Sequence, residues 1–206
     1  RLKDIVNQIQ KKAGQSICLK TDVSSYEQVK RLAEKAIKNF GRIDVWINNA
    51  GIMPRSFMDK LKVDEWNQMI DVNIKGVLYG IAAAIPAMTK QNKGYIINVY
   101  SVGAYSVKLG GAVYSGTKFA VRAITEGLRL ELSSTIRTTL ISPGAVDTEL
   151  ESSITDEDAM KVFLKRRDQL RTLESKDIAS AILFAIEQPD YVSVNDIIVR
   201  PADQLE

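Results

Sequence analysis

The chain has 206 residues, of which 45% are hydrophobic and 26% charged, a composition typical of one soluble globular domain. The net charge of +3 is too small and too dispersed to indicate a nucleic-acid partner. Histidine is absent, which excludes Ser-His-Asp hydrolysis, Cys-His proteolysis and His-ligated zinc, and no metal site is expected. The single cysteine, Cys18, is expected as a core residue in a reducing cytoplasm. No run of eighteen apolar residues occurs, so no membrane span is expected.

Helical and strand patterns alternate from the start of the chain. Apolar residues at helical spacing predict a first helix that ends near Gly14, followed by a short strand at 16–19. Ser24 and Glu27 have the spacing of a capping box, which predicts a helix from there to about Asn39, stopped by Gly41.

The same alternation continues to the end of the chain. Residues 43–47 are apolar enough for a strand that is buried on both faces. A long helix follows from about Asp64 to Thr89, and further elements are predicted as strands near 95–100, 136–142 and 194–199 and helices near 112–133 and 176–187. This order predicts an α/β fold with a doubly wound parallel sheet, in one domain over 1–206.

Tyr114 and Lys118 are the most informative pair in the sequence. Their i, i+4 spacing places them on one face of a helix. A free phenol has a pKa of about 10 and is a poor acid–base group at neutral pH. A cation ~4 Å away, at an effective dielectric constant near 20, favours the phenolate by ~4 kcal/mol, or roughly three pKa units. The pair is therefore expected to work as a general acid–base near neutral pH.

Tyr26 and Lys30 have the same spacing, and their context separates them from the first pair. Tyr26 opens a polar helix and has Ala13 thirteen residues before it. Tyr114 has Ser101 thirteen residues before it, at the end of the apolar run 95–100. We interpret Tyr26 and Lys30 as a solvated surface pair.

Several motifs occur together in one order: Asn48-Asn49-Ala50-Gly51, Asn73, Ser101, Tyr114 with Lys118, and Pro143-Gly144. With them the chain resembles the short-chain dehydrogenase/reductase family, from about Ser16 to Pro201. The resemblance implies an NAD(P)-binding Rossmann fold.

One part of the family pattern is not found. The glycine-rich turn that holds the cofactor pyrophosphate has no counterpart in the sequence. Arg1 is expected to lie already in the helix after the second strand, so the strand–helix–strand opening is expected to be absent from this chain. In the family's sheet the strand near 16–22 lies three positions from the strand near 42–48. A separation of about 14 Å, with no ladder between these two strands, is therefore expected.

The resemblance assigns roles to individual residues. Tyr114 would exchange a proton with the substrate oxygen, and Lys118 would lower the tyrosine pKa and hydrogen-bond the nicotinamide ribose. Ser101 would hold the substrate oxygen, and Asn73 would anchor a water in a proton relay. The cofactor would also contact a set of residues at the ends of strands: Asp22 and Val23 at the adenine, Asn48, Ala50 and Gly51 along the crevice, and Val146 and Thr148 at the carboxamide.

The implied activity is an NAD(P)-dependent oxidoreductase that interconverts an alcohol with a ketone or aldehyde, with NADP preferred over NAD. Two alternatives remain, a same-fold epimerase or dehydratase and a non-catalytic dinucleotide-binding regulatory protein. Met53, Pro54 and Arg55 are expected to line the substrate site. The charged segment 150–173 is the substrate lid in the family, or else a surface excursion. Its basic run 161–171 follows three acidic residues and is interpreted as a solvated helix face.

Self-association is also expected. One helix carries an apolar stripe of small and aliphatic residues together with apolar residues off that stripe, and the long helix before it is apolar nearly all round. A helix with two apolar faces needs two partners, so a homodimer or homotetramer is predicted, with a wide single core as the alternative. The stripe consists of Ala120, Ala123, Ile124, Gly127 and Leu128.

Overall fold

Four parallel strands form one sheet in the computed structural model, which describes residues 1–205. The sheet order is β1-β2-β3-β4. Because every neighbouring pair is parallel, the carboxyl ends of the strands meet at one edge of the sheet. The strands are β1 (Val45–Asn48), β2 (Gly94–Val99), β3 (Ile136–Pro143) and β4 (Asp196–Val199).

Helices cover both faces of the sheet, which confirms the predicted doubly wound α/β architecture. Ile96 faces a core formed with α2, α4 and α5, whereas Ile97 faces a second core with α7. Both side chains are fully buried. Burial on both faces was predicted for residues 43–47 instead, and there it is wrong, because β1 lies at the edge of the described sheet and Ile47 is 43% exposed. The helices are α1 (Leu2–Lys11), α2 (Tyr26–Phe40), α3 (Val63–Met69), α4 (Gly76–Gln91), α5 (Ala112–Leu132), α6 (Glu157–Arg167) and α7 (Ser175–Ile186).

The strand predicted at 16–19 does not form. Residues 14–22 form no regular secondary structure and pair with no strand in the described part of the chain, and Cys18 is only partly buried. An extended segment becomes a strand only through ladder hydrogen bonds, and here the Cys18 carbonyl accepts from Lys35 Nζ instead. As expected, no ladder joins residues 16–22 to β1, which lies at the edge of the described sheet. A cavity of about 100 Å³ separates Thr21 from β1.

The predicted capping box at Ser24 is also wrong. α2 begins at Tyr26 with Ser25 as its N-cap, and the Ser24 hydroxyl donates to Asp22 Oδ1 instead. The Ser24 N–H donates to the same oxygen, so a local aspartate turn competes with the cap. The helix ends at Gly41, at a φ of +81°, as the sequence predicts.

The long predicted helix is continuous from Val63 to Gln91 but has three parts. α3 and α4 are joined by a π-helical turn, Ile70–Lys75, which the sequence did not predict. By length and composition alone this segment could cross a membrane. A core helix of an α/β fold has the same properties, and Ala84 and Met88 of α4 are fully buried here.

A series of hydrogen-bonded polar side chains lies beneath α4 and connects β1 and β2 to α5. Trp46 Nε1 donates to Asn48 Oδ1 at 2.8 Å, and Asn48 Nδ2 donates to Asn98 Oδ1 at 2.8 Å. Asn98 Nδ2 in turn donates to Thr125 Oγ1 at 2.7 Å. Gly80 of α4 crosses directly above, because a Cβ there would overlap Asn48 Oδ1 and lie 2.6 Å from Trp46 Nε1.

We therefore expect Gly80→Ala to lower the free energy of unfolding by about 2–3 kcal/mol. Overpacking and a weakened buried hydrogen bond each cost ~1–3 kcal/mol, offset by ~1 kcal/mol of helix propensity. Urea denaturation measures the change. Gly116→Ala in α5 is the control, since Gly116 is exposed, lies off the predicted self-association stripe, and a Cβ there meets no described atom within 4 Å. It should stabilise by roughly 0.5–1 kcal/mol, and equal effects at both sites would contradict the close approach at Gly80.

Candidate active site

A cavity of about 780 Å³ opens at the carboxyl edge of the sheet, where ligands of parallel α/β folds bind. Its walls come from the loops after β1, β2 and β3, from the start of α5 and from α6. Seven of the residues to which the resemblance assigns a catalytic or cofactor role line it: Ala50, Gly51, Ser101, Tyr114, Lys118, Val146 and Thr148.

Tyr114 and Lys118 lie in the first two turns of α5 and face the cavity together. Tyr114 is 8% exposed and Lys118 is 7% exposed. Lys118 Nζ lies over the tyrosine ring, 5.7 Å from its centroid. The i, i+4 spacing thus places both groups on one helix face, as predicted.

The pKa of the Tyr114 phenol differs from the expectation. Burial raises this pKa above its ordinary value, while the adjacent Ser101 hydroxyl and the charge of Arg55 act in the opposite direction. Lys118 is not among the groups that lower this pKa, although its ammonium lies 5.7 Å from the centroid of the tyrosine ring. The cation that acts on the phenol is Arg55.

Lys118 is a buried ammonium without a protein acceptor. No hydrogen bond or ion pair joins its Nζ to another of residues 1–205, and burial lowers its pKa to about 8. A charged donor of this kind fits a ligand that brings its own oxygen acceptors. Gly51 leaves room beside it, since a Cβ at Gly51 would lie 3.5 Å from Nζ. The residues present therefore fit a sugar hydroxyl of a dinucleotide at this position.

Asn73 occupies the π-helical turn and is 1% exposed. Its Oδ1 accepts from the Ile52 N–H and its Nδ2 donates to the Ile52 carbonyl, both at 2.9 Å. Nδ2 also donates to Thr117 Oγ1 at 3.1 Å. The amide therefore fixes the loop after Gly51 against α5, and its expected role in holding a water stays a prediction.

Ser101 follows β2 and is oriented by its own backbone turn. Its Oγ accepts from the Gly103 N–H at 3.1 Å, so the hydroxyl is held at the cavity wall beside Tyr114. A fixed hydroxyl next to a buried phenol can hold a carbonyl or alcohol oxygen between them.

Three predicted cofactor residues lie outside this cavity. The Asn48 amide is engaged with Trp46 and Asn98 beneath α4, and the Asp22 carboxylate accepts from Ser24. Val23 packs against Gly76. Their contacts with a cofactor stay predictions. Within the cavity, Thr148 Oγ1 accepts from the Leu150 N–H, and Val146 pairs with Leu173.

The segment 150–173 forms one wall of the cavity through Leu150, Phe163, Arg166 and Leu170. Its mobility as a lid stays a prediction. Sequence reasoning missed Arg166, because the basic run 161–171 has the pattern of a solvated helix face. Arg55 was expected as a lining residue, but nothing in the sequence indicated that its guanidinium acts on Tyr114.

The parallel fold, with a serine, a tyrosine and a lysine at the carboxyl edge of its sheet, has relatives among known proteins. The family model described as short chain dehydrogenase matches residues 1–159. An uncharacterized oxidoreductase of Staphylococcus saprophyticus is 54% identical, and the match covers 98% of this chain and 83% of that protein. The chain belongs to the short-chain dehydrogenase family and is an oxidoreductase of that type.

Two solved structures share the fold and carry nicotinamide dinucleotides. The alcohol dehydrogenase from the archaeon Thermococcus sibiricus, complexed with 5-hydroxy-NADP, is 26% identical with a TM-score of 0.87. That match covers 100% of this chain and 83% of the archaeal one. A short-chain dehydrogenase/reductase from Burkholderia phymatum in complex with NAD is 25% identical with a TM-score of 0.86, covering 96% of this chain and 75% of the other.

Proposed function

We propose that the protein is an NAD(P)-dependent oxidoreductase that interconverts an alcohol with a ketone or aldehyde, with Tyr114 as the general acid–base. The observation that carries the proposal is the set of buried groups at one cavity wall. The Tyr114 phenol lies beside the Ser101 hydroxyl, and the acceptorless ammonium of Lys118 lies over the same ring.

The nicotinamide supplies the hydride chemistry when the dinucleotide is bound. In the reducing direction Tyr114 donates its phenolic proton to the substrate oxygen. In the oxidising direction the substrate hydroxyl returns a proton to the phenolate oxygen of Tyr114. Ser101 holds that oxygen, and Lys118 donates to the ribose hydroxyls. The loop at Ala50 and Gly51 allows close backbone approach by the ligand.

Cofactor choice and the remaining roles complete the proposal. Of the two related structures, the archaeal one holds an NADP derivative and the other holds NAD. We place NADP first, and assign the remaining contacts to Asp22, Val23, Asn48, Val146 and Thr148. Asn73 serves a proton relay as well as the loop that it fixes.

The test is turnover by the full chain with NADPH or NADH and a panel of aldehydes and ketones, followed by the absorbance of the reduced nicotinamide. We expect carbonyl-dependent oxidation that is faster with NADPH. An epimerase or dehydratase would convert its substrate without net consumption of the dinucleotide. A regulatory protein would bind the dinucleotide and show no turnover with any member of the panel.

Self-association and location belong to the same proposal. Phe119 and Leu130 of α5 are 40% and 66% exposed, and Leu78 of α4 is 41% exposed. Large apolar side chains on two helices favour a homodimer or homotetramer, which light scattering measures. A single partly buried cysteine fits a reducing cytoplasm.

A further inference from the structure

The charges on the cavity wall do not balance. Among residues 1–205, the carboxylates that line it are Glu149 and Glu151, and each is ion-paired with an arginine, Arg1 at 2.5 Å and Arg167 at 2.6 Å respectively. Within residues 1–205 neither Arg55 nor Arg166 has a carboxylate partner, although both line the same cavity. Among the described residues, two guanidinium groups at this cavity, the half-buried Arg55 and the exposed Arg166, therefore have no carboxylate partner, in addition to Lys118.

Arg55 is held in a fixed position rather than extended into solvent. Its Nη2 donates to the Leu109 carbonyl at 2.9 Å, and its Cζ lies 5.5 Å from the centroid of the Phe163 ring. Gly111 forms the floor, because a Cβ there would lie 2.7 Å from Nη2 and 3.1 Å from Nε. Nε itself is buried and has no hydrogen-bond partner within residues 1–205. The group is thus oriented while part of its hydrogen-bonding capacity is unused.

The surroundings of Arg55 add positive charge rather than neutralise it. Gly111 is the N-cap of α5, where the helix presents the positive end of its dipole. Burial and the charge of Arg166 both lower the Arg55 pKa, and Tyr114 is the only group that raises it. A desolvated cation in such a place is unfavourable unless an anion joins it.

We propose that Arg55, assisted by Arg166, binds a carboxylate of the substrate, so that the protein interconverts a hydroxy acid and its oxo acid. This inference rests on the proposed function. A guanidinium is planar and matches a carboxylate, and the nitrogen free to meet one here is Nη1, which has no hydrogen-bond partner among residues 1–205 and shares an edge of the group with Nη2. In the oxidising direction the carbinol carbon would lose a hydride to the nicotinamide, and its hydroxyl proton would pass to the Tyr114 phenolate, forming the carbonyl and the neutral phenol. The carboxylate is unchanged and serves as the handle.

The first experiment compares charged substrates with neutral counterparts of the same skeleton. We would measure kcat/KM for lactate and 3-hydroxybutanoate, for their methyl esters, and for glycerol 3-phosphate against glycerol. We expect the acids to exceed their esters, and Arg55→Leu to reduce kcat/KM for the preferred acid by about 100-fold, mainly through KM, because a charge-assisted pair is lost. The ester shares only the effect of the Arg55 charge on the Tyr114 pKa, so its kcat/KM should fall by about tenfold or less, clearly less than that of the acid.

Two variants control the comparison. Arg55→Lys keeps the charge and removes the fork, so it should recover only part of the acid preference. Arg129→Leu removes the same net charge from α5 where Arg129 pairs with Glu126, and it should leave the acid-to-ester ratio unchanged. Equal losses for acid and ester in Arg55→Leu would overturn the inference and leave Arg55 acting on the Tyr114 pKa. A preference for glycerol 3-phosphate over all the acids would overturn the carboxylate in favour of a phosphate.

A binding measurement separates this inference from the proposed function. Malonate is unreactive in the hydride step, and calorimetry should detect its binding to the wild-type protein and a loss of at least about tenfold in affinity in Arg55→Leu. Malonate binding that depends on Arg55, without turnover of any carbonyl, would support the anion site and refute the oxidoreductase proposal. Turnover of neutral alcohols, together with malonate binding that is absent or unchanged in Arg55→Leu, would support the oxidoreductase proposal and refute the carboxylate site.

Discussion

Tyr114→Phe should lower kcat by about a thousandfold and leave dinucleotide affinity within a few-fold of the wild type. General acid–base catalysis typically contributes 10²–10⁴ in rate, and this substitution removes only the hydroxyl that moves the proton. The ring remains to pack with Met53 and Ile154 in its buried cluster. Because burial raises the phenol pKa, the protonated form predominates at neutral pH and carbonyl reduction should persist into the alkaline range. It should decline only as pH passes that raised pKa.

Rapid kinetics and a fluorescence titration with the dinucleotide measure the two quantities separately. Tyr26→Phe is the matched control, since Tyr26 has a lysine at the same spacing but lies outside the cavity, 39% exposed. It should change neither rate nor affinity. Weaker dinucleotide binding in Tyr114→Phe, with an unchanged rate at saturation, would refute the proton-transfer role.

Lys118→Met should have two opposite effects. Turnover and dinucleotide affinity should both fall, by about 100-fold in kcat/KM, because a buried charged donor is lost. The protein should nevertheless become more stable at pH 7. Burial lowers the Lys118 pKa from 10.5 to about 8, and at 1.36 kcal/mol for each pKa unit the buried charge costs roughly 3 kcal/mol.

The pH dependence of this stability gain has a defined sign. Below pH ~8 the folded and unfolded states both carry the proton, so the wild-type protein bears the full penalty. Between pH ~8 and ~10.5 the unfolded state binds more protons, so the wild-type stability rises relative to the variant. Chemical denaturation should therefore show a smaller difference in the free energy of unfolding between the variant and the wild type at pH 10 than at pH 7. A variant that is no more stable at pH 7, or that keeps a near-normal rate there, would contradict the assigned environment of Lys118.

The sequence was most reliable where a local pattern had a single structural solution. The central strands β2 and β3 lie within about one residue of their predicted bounds, because short segments rich in β-branched residues, with helical patterns on either side, favour strands. The pairing of Tyr114 with Lys118 on one face of α5 follows from helical geometry alone. The prediction at 16–19 failed because a strand depends on a neighbour that local sequence does not specify.

The sequence by itself determined the order of the elements, the parallel α/β class and the family, together with the tyrosine, lysine and serine of the site. Tertiary structure decided which cationic side chain lies close enough to Tyr114 to change the pKa of its phenol. Arg55 and Arg166 come from segments far apart in sequence, and the packing at Gly111 brings the guanidinium of Arg55 to the cavity wall. It also turned the Asn48 amide away from the cavity and beneath α4. Such contacts depend on how helices and loops cross the sheet, and electrostatic effects depend on the resulting distances and burial, neither of which a local pattern encodes.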